Sequence, residues 1–308
     1  MFAADGSLLF VEMTGGRGFA RSPRRHPDHS RRHWPAGDSG DGYWPSATLN
    51  GPHDLLVLPD GAVLIADTFN HRVRKYDPHA KTIAAFAGTG KKGNAGDDGP
   101  ALAAGFDQMY ALALDRTRGL LYLCDLGNRR VRSVSLTTGV LRNHAGTGKK
   151  GEPKDGEPAA SEPLTDPRAI ALDDHGNLYV LERSGHRLRV VRPDGTIKTV
   201  AGTGKAGRGG DGGPARLAAF NGPKYLAVGR DGSVLIADTE NHQIRRYVPG
   251  KETVELVAGS GKKGKAGVGG DPLKLELSRP HGVTVHPTTG ELYIADSDNG
   301  RIVKIVKD

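Results

Sequence analysis

Residues 65–73, Ile65-Ala66-Asp67-Thr68-Phe69-Asn70-His71-Arg72-Val73, set an apolar run against a polar turn and then a second alternating run. The same pattern returns at Ile236-Ala237-Asp238-Thr239-Glu240-Asn241-His242-Gln243-Ile244. Weaker copies stand at Leu123-Cys124-Asp125, Leu181-Glu182, Ile294-Ala295-Asp296 and Val11-Glu12. The acidic residues therefore fall at 12, 67, 125, 182, 238 and 296, in steps of 55, 58, 57, 56 and 58. A near-constant period of this length is the mark of a repeat architecture, in which each unit covers its apolar faces only against its neighbours.

Outward from each acid the unit reads as four short strands. An apolar strand comes first (Leu55–Leu58, Ala169–Leu172, Leu226–Val228, Val283–Val285). After a turn such as Pro59-Asp60-Gly61 or Arg230-Asp231-Gly232, a second strand runs into the acid (Ala62–Ala66, Asn177–Leu181, Ser233–Ala237, Glu291–Ala295). A third alternates (Arg72–Tyr76, Arg187–Val191, Gln243–Tyr247, Arg301–Val306), and a fourth ends in Ala-Gly (Thr82–Gly88, Val140–Gly146, Ile197–Gly202, Val254–Gly259). β-Branched runs bounded by Gly, Asp and Pro are hairpin signals. Four strands per unit and six units predict an all-β, six-bladed β-propeller with four-stranded blades. The blades run about 1–49, 50–105, 106–164, 165–220, 221–277 and 278–308, as a single domain over 1–308.

The strings at 66–73 and 237–244 resemble the NHL repeat, and the resemblance covers essentially the whole chain. It implies the propeller fold and leaves the activity to the site, because one fold hosts many functions. Composition agrees. Gly 45 and Pro 19 are about a fifth of the 308 residues, as many short strands and turns require. Cys124 is the only cysteine, so there is no disulfide framework and no cysteine metal cluster. No run of 18 apolar residues is present, so no membrane span is expected. The start, MFAADGSLLFVEM, lacks a basic n-region and a cleavage site, so no signal peptide is visible; cytoplasmic and exported locations both stay open.

The two ends of the repeat are irregular. The opening strand of the first blade is reduced to Phe2-Ala3-Ala4, and the last blade ends at Asp308 without its outer strand, which suggests that about twenty or more native residues precede Met1. Residues 18–37, GFARSPRRHPDHSRRHWPAG, carry no strand pattern. Read one nucleotide out of frame, this segment permits PDGTxTTLAGTG, which matches Pro193–Gly204, so a pair of compensating indels near 18 and 37 is expected. The segment holds five Arg and one Asp, a net +4 within the formal +8 of the chain. An arginine-rich nucleic-acid patch is therefore a poor reading.

Features that recur in every unit are scaffold, and features that vary at equivalent positions are site candidates. By this test the acids at 67, 125, 182, 238 and 296 and the pairs Asn70-His71 and Asn241-His242 cap turns. The loops at 88–101, 146–159, 202–215 and 259–272 are glycine-rich but lack a nucleotide loop's GK[ST] and following helix, so no nucleotide cofactor is expected. Their pairs Lys91-Lys92, Lys149-Lys150 and Lys262-Lys263 make a basic face that can attract a protein or polyanion.

The varying position opens each innermost strand, at His53, Met109, Arg168, Lys224 and His281, followed by Asp54, Tyr110, Ala169, Tyr225 and Gly282. Innermost strands line a propeller's channel, so these side chains are expected to ring its mouth. His53, Asp54 and His281 are candidate ligands for a divalent ion, Zn or Ca, which would activate water. Arg168 and Lys224 are candidates for oxyanion stabilisation, and Tyr110 or Tyr225 for proton donation. The pattern is similar to the NHL-fold lyase of peptide amidation, which has metal-binding histidines at comparable blade starts. The alternate-blade set here, His53, Arg168 and His281, has an arginine among them. Lactonase and phosphotriesterase propellers also keep a metal in the channel, with Glu, Asn and Asp ligands that are sparse here. Two functions follow: metal-dependent hydrolysis or lyase chemistry on a small ester, lactone or phosphotriester, or a non-catalytic scaffold binding a protein or polyanion.

Overall fold

The computed structural model describes residues 1, 8–12, 17–21, 37, 41–43 and 47–306. The chain divides into two compact units, Met1–His144 and Ala145–Asp308. In the first, β1 (Leu8–Glu12) and β2 (Arg17–Arg21) pair as an antiparallel ribbon. Next come β3 (Gly42–Tyr43), β4 (Asp54–Val57), β5 (Val63–Asp67), β6 (Arg72–Asp77) and β7 (Thr82–Ala87), in the order β3-β7-β6-β5-β4. Then β8 (Met109–Asp115), β9 (Leu120–Asp125), β10 (Arg130–Ser135) and β11 (Leu141–Ala145), the last reaching the boundary between units, form a four-stranded meander.

The second unit holds two further meanders of four. One is β12 (Pro167–Leu172), β13 (Leu178–Glu182), β14 (Arg187–Val191) and β15 (Ile197–Ala201). The other is β16 (Tyr225–Val228), β17 (Val234–Asp238), β18 (Gln243–Val248) and β19 (Thr253–Ala258). A three-stranded sheet follows: β20 (Gly282–Val285), β21 (Leu292–Asp296) and β22 (Arg301–Ile305). The architecture is an all-β β-propeller of four-stranded antiparallel blades, and no α-helix occurs among the described residues.

The strands match the sequence reading closely, with two corrections. Among the described residues there are five blade sheets rather than six; where the first blade was expected only the ribbon β1–β2 forms. β2 also runs from Arg17 into the segment 18–37 read as having no strand pattern, and its five residues are too few for alternation to stand out. The rest of that segment, 22–36, and with it the frame-shifted reading, lies outside the described residues. Among the described residues the last blade has three strands, and β3 adds an unexpected fifth strand beyond β7.

The acids at the ends of β5, β9, β13, β17 and β21 are fully buried and organise each blade. In Asp67, Asp125, Asp238 and Asp296 one oxygen accepts the backbone N–H of Asn50, Asp107, Asn221 or Ser278, at 2.6–2.8 Å. The other accepts from the amide of Asn70, Asn128, Asn241 or Asn299, whose NH2 also reaches the carbonyl of Gly37, Gly93, Gly207 or Gly264. One short motif thus ties the blade to the long loop that precedes it.

A buried arginine seven residues after the acid completes the tie. Arg132 donates to Asp97 of the preceding loop at 2.8–3.0 Å, to the carbonyls of Gly105 and Ala95, and faces Asp125 at 3.6 Å. Arg245 repeats this with Asp211, Ala219, Gly209 and Asp238. Both guanidiniums lie over a phenylalanine, Phe106 or Phe220, about 5 Å away. Arg74 meets Asp41 and the Thr48 carbonyl, and Arg189 meets Glu182.

The histidine of the motif has a backbone role as well. His71, His186 and His242 adopt left-handed φ of 50–56°. Their Nδ1 accepts the N–H of Gln108, Gly222 or Arg279 on the next blade. The glycine closing each fourth strand is required here: a Cβ at Gly88, Gly202 or Gly259 would lie 2.3–2.7 Å from the carbonyl of that histidine. Thr68 and Thr239 hydroxyls donate to Met109 and Pro280 carbonyls, again crossing to the next blade. Apolar faces fill the remainder: Leu64, Ala66 and Val73 with Phe106, Met109 and Leu121 in the first unit, and Ala237, Ile244 and Ala258 with Leu277, Val283 and Ile294 in the second. Each large side chain so buried contributes about 1.5–3 kcal/mol.

Arg132→Met is expected to destabilise the protein by about 3–5 kcal/mol in urea unfolding, because it leaves Asp125 buried without its cation. Val303→Ala, at the equivalent position of the last blade where no arginine stands, is expected to cost only about 1–3 kcal/mol. Equal losses would show that the arginine acts by volume alone.

Candidate functional site

Strand register identifies the equivalent residues. Asp54, Ala111, Ala169, Tyr225 and Gly282 each pair with the residue before the blade's acid. The residues just before them are His53, Tyr110, Arg168, Lys224 and His281. Tyr110, not Met109, is therefore the third-blade member; Met109 is fully buried core. Tyr110 and Arg168 are bulge residues, skipped by the ladder between Met109 and Ala111 and between Pro167 and Ala169. Bulges turn side chains away from the regular pleat. At the other three positions the backbone N–H of His53, Lys224 and His281 donates to Ala66, Ala237 and Ala295.

In the first unit, His53 Nδ1 lies 2.7 Å from the Gly51 carbonyl and 3.0 Å from Thr68 Oγ1. A carbonyl only accepts, so Nδ1 carries the proton. The ring stands edge-on to Tyr110, with centroids 4.2 Å apart, and to Phe69 at 5.6 Å. Asp54 is buried, and its two oxygens accept the N–H groups of Leu55 and Leu112, each at 2.9 Å. It is a staple between β4 and β8.

In the second unit β12, β16 and β20 are neighbours, and they bring Arg168, Lys224 and His281 into one cluster. Lys224 Nζ donates to His281 Nε2 at 3.1 Å and faces Glu240 Oε1 at 3.5 Å. Arg279 holds Glu240 with both arms of its fork, at 2.8–3.3 Å. Arg168 is 7% exposed and the Lys224 side chain 12%. Burial, then the charges of Lys224, Arg168 and Arg279, push His281 down to about 4, against Asp298. Burial and then Arg279 lower Lys224, against Glu240. His281 is thus a neutral base beside a cation whose proton is loosely held.

Arg279 and Glu240 were not among the candidates. The comparison of equivalent positions, extended two residues upstream, shows Arg279 standing where Gly51 and Gly222 stand, and Glu240 where Phe69 and Gly127 stand. Tyr225 is half-buried next to Lys224.

This donor set does not fit a divalent cation. Both Asp54 oxygens serve backbone amides, and His281 is the one imidazole among three cations. No cluster of three or more His, Cys, Asp or Glu side chains occurs among the described residues. A separate cavity of about 490 Å³ in the second unit is lined by Glu152, Asp155, Arg187 and Arg216, among others. It opens where Asp155 binds Arg216 and the Thr199 N–H instead of the buried Arg189.

Comparison with known proteins agrees with the repeat. The NHL repeat family matches residues 49–76, 220–247 and 277–305. NHL repeat-containing protein 2 of Homo sapiens is 22% identical over 85% of this chain, which spans 40% of that protein's length. Among solved structures, an auxiliary nutrient binding protein of Bacteroides ovatus aligns with a TM-score of 0.63 at 15% identity, over 85% of this chain and 60% of that one. A catalytically inactive virginiamycin B lyase of Staphylococcus aureus aligns with a TM-score of 0.57 at 12% identity, over 100% and 79%. At these identities the structures share the fold.

The lowered pKa of His281 sets a sign for acid stability. Folding holds it near 4 while the unfolded chain titrates near 6.5. Its contribution is complete above about pH 6.5 and is lost as pH falls from there toward 4. Urea midpoints measured between about pH 7 and 4.5 are expected to fall more steeply for the wild type than for His281→Gln. Parallel profiles would show that His281 is not held neutral.

Proposed function

The chain is an NHL-repeat β-propeller protein, and we propose that it opens a small ester or lactone by acid–base chemistry at the Lys224–His281 pair. The observation that carries this is the 3.1 Å contact between Lys224 Nζ and the Nε2 of a neutral His281. A neutral imidazole is a base, an adjacent ammonium with a lowered pKa is an acid, and a buried arginine stands beside both.

In this reading the ester carbonyl displaces the ammonium from His281, and Lys224 turns to the carbonyl oxygen. His281 Nε2 takes a proton from water as the water oxygen bonds to the carbonyl carbon. The resulting oxyanion is stabilised by Lys224 and Arg168 in a site shielded from solvent. Collapse breaks the bond to the alkoxy oxygen, and the imidazolium returns its proton to that oxygen. Tyr225 is the second proton donor within this unit. A lyase of the same fold, the virginiamycin B enzyme, supports catalysis on such a scaffold.

Two other readings remain as outcomes of the test. A metal-assisted reaction would require Zn or Ca on His53, Asp54 and His281. The scaffold reading rests on Lys91, Lys149, Lys150 and Lys262, which are all exposed and would draw a protein or polyanion.

With a panel of small esters and lactones, His281→Gln is expected to lower kcat/KM by about 10²–10⁴-fold, and Lys224→Met by about 10²-fold, with folding retained. Prolonged dialysis against a chelator is expected to leave the wild-type rate unchanged. Loss of activity on chelation and recovery with Zn or Ca would transfer the reaction to the metal reading. Full activity in His281→Gln would remove the site.

A further inference from the structure

We propose that Glu240 and Arg279 are positioning residues that form a clamp around Lys224. Arg279 holds the Glu240 carboxylate just short of the ammonium, so the lysine keeps a counter-charge nearby while it donates to His281. The proposal rests on the reading of Lys224 and His281 as the reacting pair. Both clamp residues depart from the repeat: Phe69 and Gly127 stand where Glu240 stands, and Gly51 and Gly222 where Arg279 stands. The blade itself therefore requires neither. Their backbones are nevertheless fixed. The N–H of Glu240 donates to the Asn221 carbonyl at 3.1 Å, and its stem lies over the bare backbone of Gly222, where a Cβ would come 2.9 Å from Glu240 Cγ. The N–H of Arg279 donates to His242 Nδ1 at 3.1 Å. From these anchors Glu240 Oε1 accepts Arg279 Nη2 at 2.8 Å and Nε at 3.3 Å, and Oε2 accepts Nε at 3.0 Å. Lys224 Nζ stands 3.5 Å from Glu240 Oε1 and 3.1 Å from His281 Nε2.

An ammonium and a carboxylate left to themselves close to about 2.7–2.9 Å. The ion pair between Lys224 and Glu240 stops short of that, and the strong bonds of the carboxylate go to the arginine fork, whose planar geometry matches it. The charged groups acting on Lys224 are Arg279 from the segment entering β20, Glu240 from the turn after β17, and Arg168 from β12. Asp298, on the turn after β21, acts on His281 and lies 3.7 Å from the Lys263 ammonium. Burial and Arg279 loosen the proton of Lys224, and Glu240 holds it. The clamp sets that balance. A carboxylate closed fully on Lys224 would bind its proton tightly and draw the ammonium off His281. Without the carboxylate, a side chain only 12% exposed would carry its charge next to two arginines and give up the proton at lower pH. Sharing one carboxylate between Arg279 and Lys224 avoids both extremes.

The clamp predicts shifts of opposite sign from its two halves, which a loss of structure does not produce. The titration of Lys224 is to be followed by the NMR resonance of its ε-carbon, assigned with Lys224→Met, in the full chain. In Glu240→Gln it is expected to move down by about one pH unit or more. In Arg279→Gly the freed carboxylate closes on Lys224, and the titration is expected to move up by about as much. Glycine suits the φ of 46° at this position and is the residue of two other blades. Arg279→Gln, matching Gln108 of another blade, serves if Arg279→Gly does not fold. The effect of Arg279→Gly is expected to shrink when Glu240 is already Gln. On esters that the wild type opens, Arg279→Gly is expected to lower kcat/KM by about tenfold or more, and the alkaline limb of the pH profile is expected to follow Lys224 in each variant. Shifts of the same sign, or no shift in either one of the variants, overturn the proposal. The two readings fail separately. Opposite shifts with a fully active His281→Gln keep the clamp and remove the reacting pair. No shifts with an inactive His281→Gln do the reverse.

Discussion

A carboxyl group with almost no exposed surface can ionise only if it is given a cation and a full set of donors, and each blade is arranged around that need. Burial, helped by the Asp107 charge, pushes the Asp125 carboxyl up to about 7 even though the Asn128 amide, the Asp107 N–H and the Arg132 guanidinium pull against it. Removing any donor leaves a charge stranded where water cannot reach it. The donors come from separate pieces of chain: the turn after the strand, the segment before the innermost strand, and the next strand, whose arginine also grips the preceding loop. Satisfying one carboxylate therefore fixes the relative positions of all of them. This is why a glycine-rich loop of fourteen residues such as 88–101 has a defined path without regular structure of its own.

Variation among the repeats supports this account. Asp41, Asp97 and Asp211 each meet the buried arginine of the blade that follows. In the last blade that arginine is replaced by Val303, and the loop position aligned with Asp97 is Val268, which is exposed. Cation and anion have disappeared together. Arg301, two residues earlier, takes over the acid at 2.6 Å and reaches the carbonyls of Lys265 and Glu276. In the blade of β12–β15 the acid is the longer Glu182. It reaches Arg189 directly, and Gly185 stands where the other blades have asparagine. Each departure from the pattern comes with a compensating partner, as an obligatory charge balance requires.

The strands and the repeat were legible because period and turn chemistry are local properties of sequence. Ala-Asp-Thr-x-Asn-His announces a turn wherever it stands, and its residues carry the bonds that such residues form. β1, which ends at the Glu12 acid, was legible through the repeat, and β2 was not, since five residues bearing two arginines give no period. The site was legible in part. Lys224 and His281 were found because they differ among equivalent positions, and their contact joins residues 57 apart on different blades. Arg279 and Glu240 were missed because the comparison stopped at the strand entrance. Asp54 was read as a ligand from its chemistry alone, and only the register shows that its two oxygens meet amides of its own strand and of β8.

Scaffold and site share the same short segments, and this constrains what each can become. Pro280 gives its carbonyl to Thr239, Arg279 gives its N–H to His242, and His281 gives its N–H to Ala295. Three consecutive backbones are thus held from two sides, while the side chains of Arg279 and His281 are left to the site. A side chain whose backbone is pinned in this way can change identity without moving the chain. The series His53, Tyr110, Arg168, Lys224 and His281 is the expected consequence: one position, occupied in five blades by four different side chains. A pair proposed to react needs fixed distances more than it needs neighbours in sequence. Here the distance between Lys224 and His281 is set by two threonine and histidine bridges that belong to the fold itself.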